Sequence, residues 1–172
     1  MPSPFERQLA TYSDYHRDHR NRATHFIGIP AIVLSLILIL ALWRIDLGPV
    51  SVTCAWAVGL LALLGWIALD LTIGLAMAVI LVPMVMFANW FTARYGGGPT
   101  WWLFGALFVG GWVFQLVGHA FEGRRPALVD NLFQAFIGPM FIMAEALVML
   151  GLRRDLANVT GGGRTGDHPE QA

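Results

Sequence analysis

The sequence predicts an all-α, multi-pass transmembrane helical bundle of about five membrane helices, preceded by a short amphipathic N-terminal helix. Three observations carry this reading. The chain of 172 residues is 56% hydrophobic and only 13% charged, against roughly 25% charged residues in a soluble domain. Its apolar residues gather in runs close to the ~20 residues that cross a bilayer. The first 25 residues, by contrast, are polar and carry Glu6, Arg7, Asp14, Arg17, Asp18, Arg20 and Arg22. They are therefore no signal peptide, and the apolar run after them is expected to be retained as a span.

Taken in order, Phe5, Leu9, Tyr12 and His16 recur at three- or four-residue spacing, which places them on one face of a short helix suited to a membrane surface. Asn21 is the expected N-cap of the first membrane helix, with a break over Asp18–Asn21 before it. The apolar runs are Phe26–Trp43, Val50–Leu69, Leu71–Phe91, Trp101–Ala120 and Leu132–Leu152. Only Asp70 separates the second from the third. One residue is short for a helical hairpin, so one of the two helices is expected to end early, near Gly65 or Gly74, with a single bent re-entrant element as the alternative. Pro30, Pro83 and Pro139 fall inside or near the ends of spans, where neighbouring helices can satisfy the freed carbonyls. Trp43, Trp90, Trp101 and Trp102 suit interfacial belts. Residues 1–152 read as one membrane-embedded domain, with 1–25 as surface helix and ligand segment and 26–152 as membrane helices; 153–172 reads as a disordered polar tail, with His168 idle in it.

Zero net formal charge and the lack of a basic block exclude nucleic acid as a partner. Cys54 is the only cysteine, so no disulfide or CxxC chemistry is available within the chain. If the spans alternate, the N-terminal side of the first (side A) also collects Asp70, His119, Glu122, Arg124, Arg125 and Asp130. With Arg7, Arg17, Arg20 and Arg22 there too, the positive-inside rule favours a cytoplasmic side A, and the expected location is a bacterial inner membrane.

That alternation brings His16, His25 and His119 to one membrane face, where they form a candidate metal site. His16 and His25 are nine residues apart and would point in opposite directions on one unbroken helix, so the break between them is needed for the rings to meet. Gln115, His119 and Glu122 lie at i, i+4 and i+7 and share one helical face, and Gly118 allows a close approach beside them. Arg124 and Arg125 are either positive-inside anchors or a fork for a fatty carboxylate. Asp130 and Asn131 can cap the fifth helix. Glu145, deep in that span, is expected to be buried and either paired or protonated, away from the metal site. His19, in the bend, is the weakest of the N-terminal histidines as a ligand. Three imidazoles without a thiolate suit iron, zinc or copper. On residues alone, an enzyme, a haem-binding electron-transfer protein and a non-enzymatic membrane carrier or scaffold all stay open.

Two stretches resemble the signatures of the 2-hydroxy fatty acid dioxygenase family. One is Tyr12-Ser-Asp-Tyr-His16 followed by Asn21-Arg-Ala-Thr-His25-Phe-Ile-Gly28-Ile-Pro30. The other is Gly111-Trp112-Val-Phe-Gln115-Leu-Val-Gly118-His119-Ala-Phe-Glu122-Gly-Arg-Arg125-Pro126-Ala127-Leu128, continuing to Asp130-Asn131. A third piece, Pro139 to Glu145, is also similar. The resemblance implies Fe(II)-dependent α-oxidation, in which a long-chain 2-hydroxy fatty acid and O2 give the acid one carbon shorter and CO2. It implies His16, His25 and His119 as metal ligands, with Tyr12, Asn21, Gln115 and Glu122 as catalytic candidates around them. Arg124, Arg125 and Asn131 are the implied substrate-binding residues, and the acyl tail is drawn from membrane lipid between helices.

Overall fold

The computed structural model describes residues 3–123 and 133–160, and these are mostly helical. Helix α1 spans Pro4–Asp14 and opens on a capping box. The Ser3 hydroxyl accepts from the Glu6 N–H, and the Glu6 carboxylate accepts from the Ser3 N–H. Its apolar face, Phe5, Leu9 and Tyr12, is buried as the spacing predicts. Helix α2 spans His19–Leu40, and its N-cap is Asp18, whose carboxylate accepts from the Arg20 N–H at 2.7 Å. The expected cap, Asn21, lies inside the helix and is fully buried. Asp18 and Asn21 are both good caps, and the buried partner that Asn21 finds elsewhere decides between them.

The chain then forms an antiparallel hairpin, β1 (Arg44–Leu47) and β2 (Val50–Thr53), with Arg44 opposite Thr53 and Leu47 opposite Val50. Gly48 takes a positive φ of 70° at its turn. Helix α3 (Cys54–Leu69) and helix α4 (Leu71–Tyr95) meet at Asp70. Neither helix ends early. Asp70 is extended, ends α3 through its N–H to Trp66 O, and caps α4 by accepting from the Ile73 N–H at 2.9 Å. A Cβ on Gly74 would lie 2.6 Å from the Ile67 backbone, so glycine there is what lets two helices fold back across one residue. Gly96, at φ 74°, makes a similarly tight turn into helix α5, Gly97–Glu122. Helix α6 spans Phe133–Met149.

Helices α2, α4 and α5 are each long and apolar enough to cross a membrane, with mean hydropathy of 2.3, 2.5 and 1.5. α6 together with residues 154–160, bent by 113°, is a fourth such element, and α3 is a shorter apolar helix. Leu61, Leu64, Leu71, Val79, Met86 and Val109 point outward, as lipid-facing positions do. Trp43, Trp90, Trp101 and Trp102 are also exposed, at span ends. The chain is thus a multi-pass helical membrane bundle.

The polar tail expected from Arg153 is corrected over its first eight residues. A 3-10 turn (Arg154–Leu156) and a short helix α7 (Ala157–Thr160) pack back on the bundle, with Leu156 and Thr160 buried. The anchor is Arg153, whose guanidinium donates to both Asp70 carboxylate oxygens at 3.0–3.2 Å and to Asp155. His168 and the rest of that expectation lie outside the described residues.

A seam of small residues fixes the geometry that matters for the site. A Cβ on Gly28 would come 2.9 Å from Gly111 O, and one on Gly111 the same distance from Gly28 O. A Cβ on Gly118 would overlap Thr24 and Asn21. α2 and α5 therefore pack backbone against backbone, and His25 and His119 face each other across the seam.

Candidate metal centre and apolar cleft

His16 belongs to the Tyr15–Asp18 connector, just past the end of α1. Its ring stacks on Tyr12, with centroids 4.1 Å apart and planes within 3°, and Phe141 of α6 packs against both. His25 sits two turns into α2 and His119 in the last turn of α5. The three rings meet edge to face with centroids 4.5–5.1 Å apart. All are buried, and each offers one ligand nitrogen within 4.8 Å of the others. The expected convergence of the three histidines is present.

The hydrogen bonds decide what these nitrogens can do. His16 Nδ1 lies 2.7 Å from Tyr12 O, and His25 Nδ1 lies 2.8 Å from Asn21 O. A carbonyl only accepts, so both Nδ1 atoms carry the proton and both Nε2 atoms are bare in the neutral rings. Those two Nε2 atoms face each other at 3.0 Å. Burial, reinforced by His119 and Arg22, pulls the His16 pKa down to about 4, so at neutral pH that ring is uncharged. Two opposed lone pairs repel unless a cation lies between them. At that 3.0 Å separation both nitrogens could reach one ion at the ~2.0–2.1 Å typical of imidazole ligation. An Nδ1–H held by a backbone carbonyl is also the usual outer support of a metal-binding imidazole. His119 Nδ1 is buried without a partner among the described residues. The donor set fits a transition-metal ion.

Glu122 stands beside this group and not in it. Its carboxylate accepts from the Arg17 N–H at 2.9 Å, the Asp18 N–H at 2.8 Å and the Asn21 amide at 3.1 Å. It thereby clamps the connector that carries His16 to the end of α5. Asn21 serves the site twice, through its amide to Glu122 and its carbonyl to His25. Burial pushes the Tyr12 phenol above its ordinary range, so it stays protonated.

The rings open into a cleft of about 170 Å³ between α1, α2, α5 and α6. Ile29, Ile32, Val33, Leu36 and Trp112 wall it, and Tyr12, Gln115, His119 and Gln134 also line it. Gln134 carries no periodic or spacing signal that would single it out from the sequence. His16 also borders a second, polar cavity lined by Arg17, Asp18 and Arg22, so the centre lies between an apolar and a polar space.

Other sequence-predicted residues fall elsewhere. Glu145 is paired, accepting from Arg22 at 2.7 Å, and is not part of the histidine group. The His19 side chain is exposed. Arg124, Arg125, Asp130 and Asn131 lie outside the described residues.

Fold and site together define an integral membrane protein with a buried three-histidine centre at one end of its bundle. The family described as 2-hydroxy-palmitic acid dioxygenase Mpo1-like matches residues 2–150, and the chain belongs to this family of dioxygenases. Over 146 residues it is 36% identical to the 2-hydroxy-palmitic acid dioxygenase MPO1 of Saccharomyces cerevisiae, covering 84% of this chain and 80% of that protein. No solved structure matches the chain.

Proposed function

We propose that this protein is an Fe(II)-dependent dioxygenase of long-chain 2-hydroxy fatty acids. The acid and O2 give the acid one carbon shorter, CO2 and water. The substrate supplies all four electrons through carbinol oxidation and decarboxylation, so no nicotinamide or flavin is needed. The observation that carries the reading is the pair of bare Nε2 atoms at 3.0 Å, each backed by a carbonyl-anchored Nδ1–H, at the mouth of an apolar cleft.

His16, His25 and His119 would hold the metal, and Fe(II) so held would supply the electron-transfer chemistry that O2 requires. The chain's own residues do the rest. The Ile29, Ile32, Val33, Leu36 and Trp112 wall takes the acyl chain and excludes water. Glu122 and Asn21 hold the connector and the His25 ring in register. The protonated Tyr12 hydroxyl and the Gln115 amide are the groups available to the reacting head. Arg124, Arg125 and Asn131 are proposed to receive the substrate carboxylate. Residues 1–152 are proposed as one catalytic domain in a bacterial inner membrane, with the histidine centre on the cytoplasmic side.

The test is anaerobic purification in detergent, Fe(II) loading, then O2 uptake with 2-hydroxypalmitic acid and product chain length by mass spectrometry. Uptake matched one to one by a C15 acid is the expected result. No uptake across chain lengths, from protein that binds no stoichiometric iron, would overturn the reading.

A further inference from the structure

Two residues that line the apolar cleft each carry a buried polar atom without a partner among the described residues, and the two atoms are of opposite kind. Gln115 Nε2 is a donor and Gln134 Oε1 an acceptor, on side chains 7% and 3% exposed. Both residues line the cleft that the three histidines open into. Neither amide is loose. Gln134 Nε2 donates to Gln8 Oε1 at 2.8 Å, which leaves the carbonyl end as the unmatched one. Gln115 Nε2 lies where a Cβ on Gly28 would come within 3.1 Å of it, so it is pressed against α2. A buried donor and a buried acceptor without partners in a walled apolar space are a template for a ligand with the converse groups.

An ionised 2-hydroxy fatty acid has one hydrogen-bond donor, its hydroxyl, and every other polar atom on it accepts. Only that hydroxyl can satisfy Gln134 Oε1, whereas the carboxylate can satisfy Gln115 Nε2. We propose that Gln134 is the residue that selects hydroxylated acids over plain fatty acids, by accepting from the 2-hydroxyl, while Gln115 donates to the carboxylate that both acids share. This rests on the substrate class proposed above and adds the device that enforces it. A site built to bond a hydroxyl leaves its own buried group unpaired when the hydroxyl is missing, and discriminates strongly for that reason. Gln134 is here a specificity residue, distinct from the metal-holding set.

The test measures binding of 2-hydroxypalmitic acid and of palmitic acid to the Fe(II)-loaded protein in detergent under nitrogen, so that no turnover intervenes. Gln134→Met is expected to lower the preference for the hydroxy acid by about tenfold or more and to leave palmitic acid affinity within about twofold. Gln115→Leu is expected to weaken both acids by a similar factor and leave the preference intact. Gln8→Leu, which removes the anchor of the Gln134 amide, is expected to move the preference in the same direction by a smaller factor. It serves in place of Gln134→Met should that variant not fold. A preference unchanged in Gln134→Met, or in Gln8→Leu where it stands in, overturns the assignment. So does wild-type protein that binds both acids equally. Failure of the reaction itself looks different, as wild-type protein that prefers the hydroxy acid but yields no shortened product.

Discussion

The α2–α5 seam and the α3–α4 hairpin are both helix pairs in the same membrane, yet they are built on opposite plans. α2 and α5 meet through Gly28, Gly111 and Gly118, where no Cβ fits, and the polar residues His25, Asn21, Gln115 and His119 are buried along them. α3 and α4 come backbone to backbone at Gly74, beside their turn, and further along meet through ordinary side-chain packing, as at Gly59, where a Cβ would lie 3.4 Å from the Val85 side chain. Asp70 at their turn caps α4 and accepts from Arg153. In lipid there is little hydrophobic drive for helix association, so close backbone approach and buried polar groups must supply it. The difference teaches that the first pair is shaped around a site and the second around the bilayer.

Substitutions can break that contrast in order of size. The largest effect is expected from His25→Ala, which removes one of the opposed Nε2 atoms. Bound metal and turnover should both be lost while the circular dichroism of the helices is kept, and stoichiometric iron in the variant would refute the ligand assignment. Glu122→Ala comes next. It leaves the Arg17 and Asp18 N–H groups and the Asn21 amide without their acceptor, and metal affinity should fall about 10–100-fold. An equilibrium competition with a chelator reads this directly.

Packing changes follow. Gly118→Val forces side chain into Thr24 and Asn21 and should destabilise by about 1–3 kcal/mol or more, whereas Gly59→Ala in the other pair should stay within about 0.5 kcal/mol. Thermal melting in detergent compares the two, and equal losses would erase the distinction between the pairs. The smallest effect is one of pH. The Arg153 guanidinium holds the exposed Asp155 carboxylate below its ordinary range. That contribution is in place at neutral pH and fades as the pH falls through the depressed pKa. Hydrogen-exchange protection over residues 153–160, corrected for the intrinsic slowing of exchange at lower pH, should therefore fall on acidification, and Arg153→Gln should flatten this dependence.

Much of this was legible in the sequence. The apolar runs locate the helices because crossing lipid demands length and composition, which are local properties. The three histidines could be brought together by counting crossings and by the need for a break between His16 and His25. The cap was misplaced because Asp18 and Asn21 are equally competent locally, and Glu122, more than a hundred residues away, claims the second. The hairpin at Arg44–Thr53 was missed because strands of four residues are too short to show a period. Arg22 and Glu145 pair across 123 residues, and Gln134 meets Gln8 across 126. No window along the chain contains either relation.

The clamp on the connector also sets a clock. His16 is held in place by a carboxylate that is translated 105 residues after Arg17, the first group it grips. At ribosomal speeds that gap lasts roughly 5 to 20 s. Through that interval the connector that carries His16 lacks the carboxylate that clamps it. The centre can close only after the last turn of α5 has been made, so a metal loaded earlier would find His16 and His25 but neither His119 nor the pocket. Assembly of this site is therefore an event of late synthesis, ordered by where Glu122 falls in the chain.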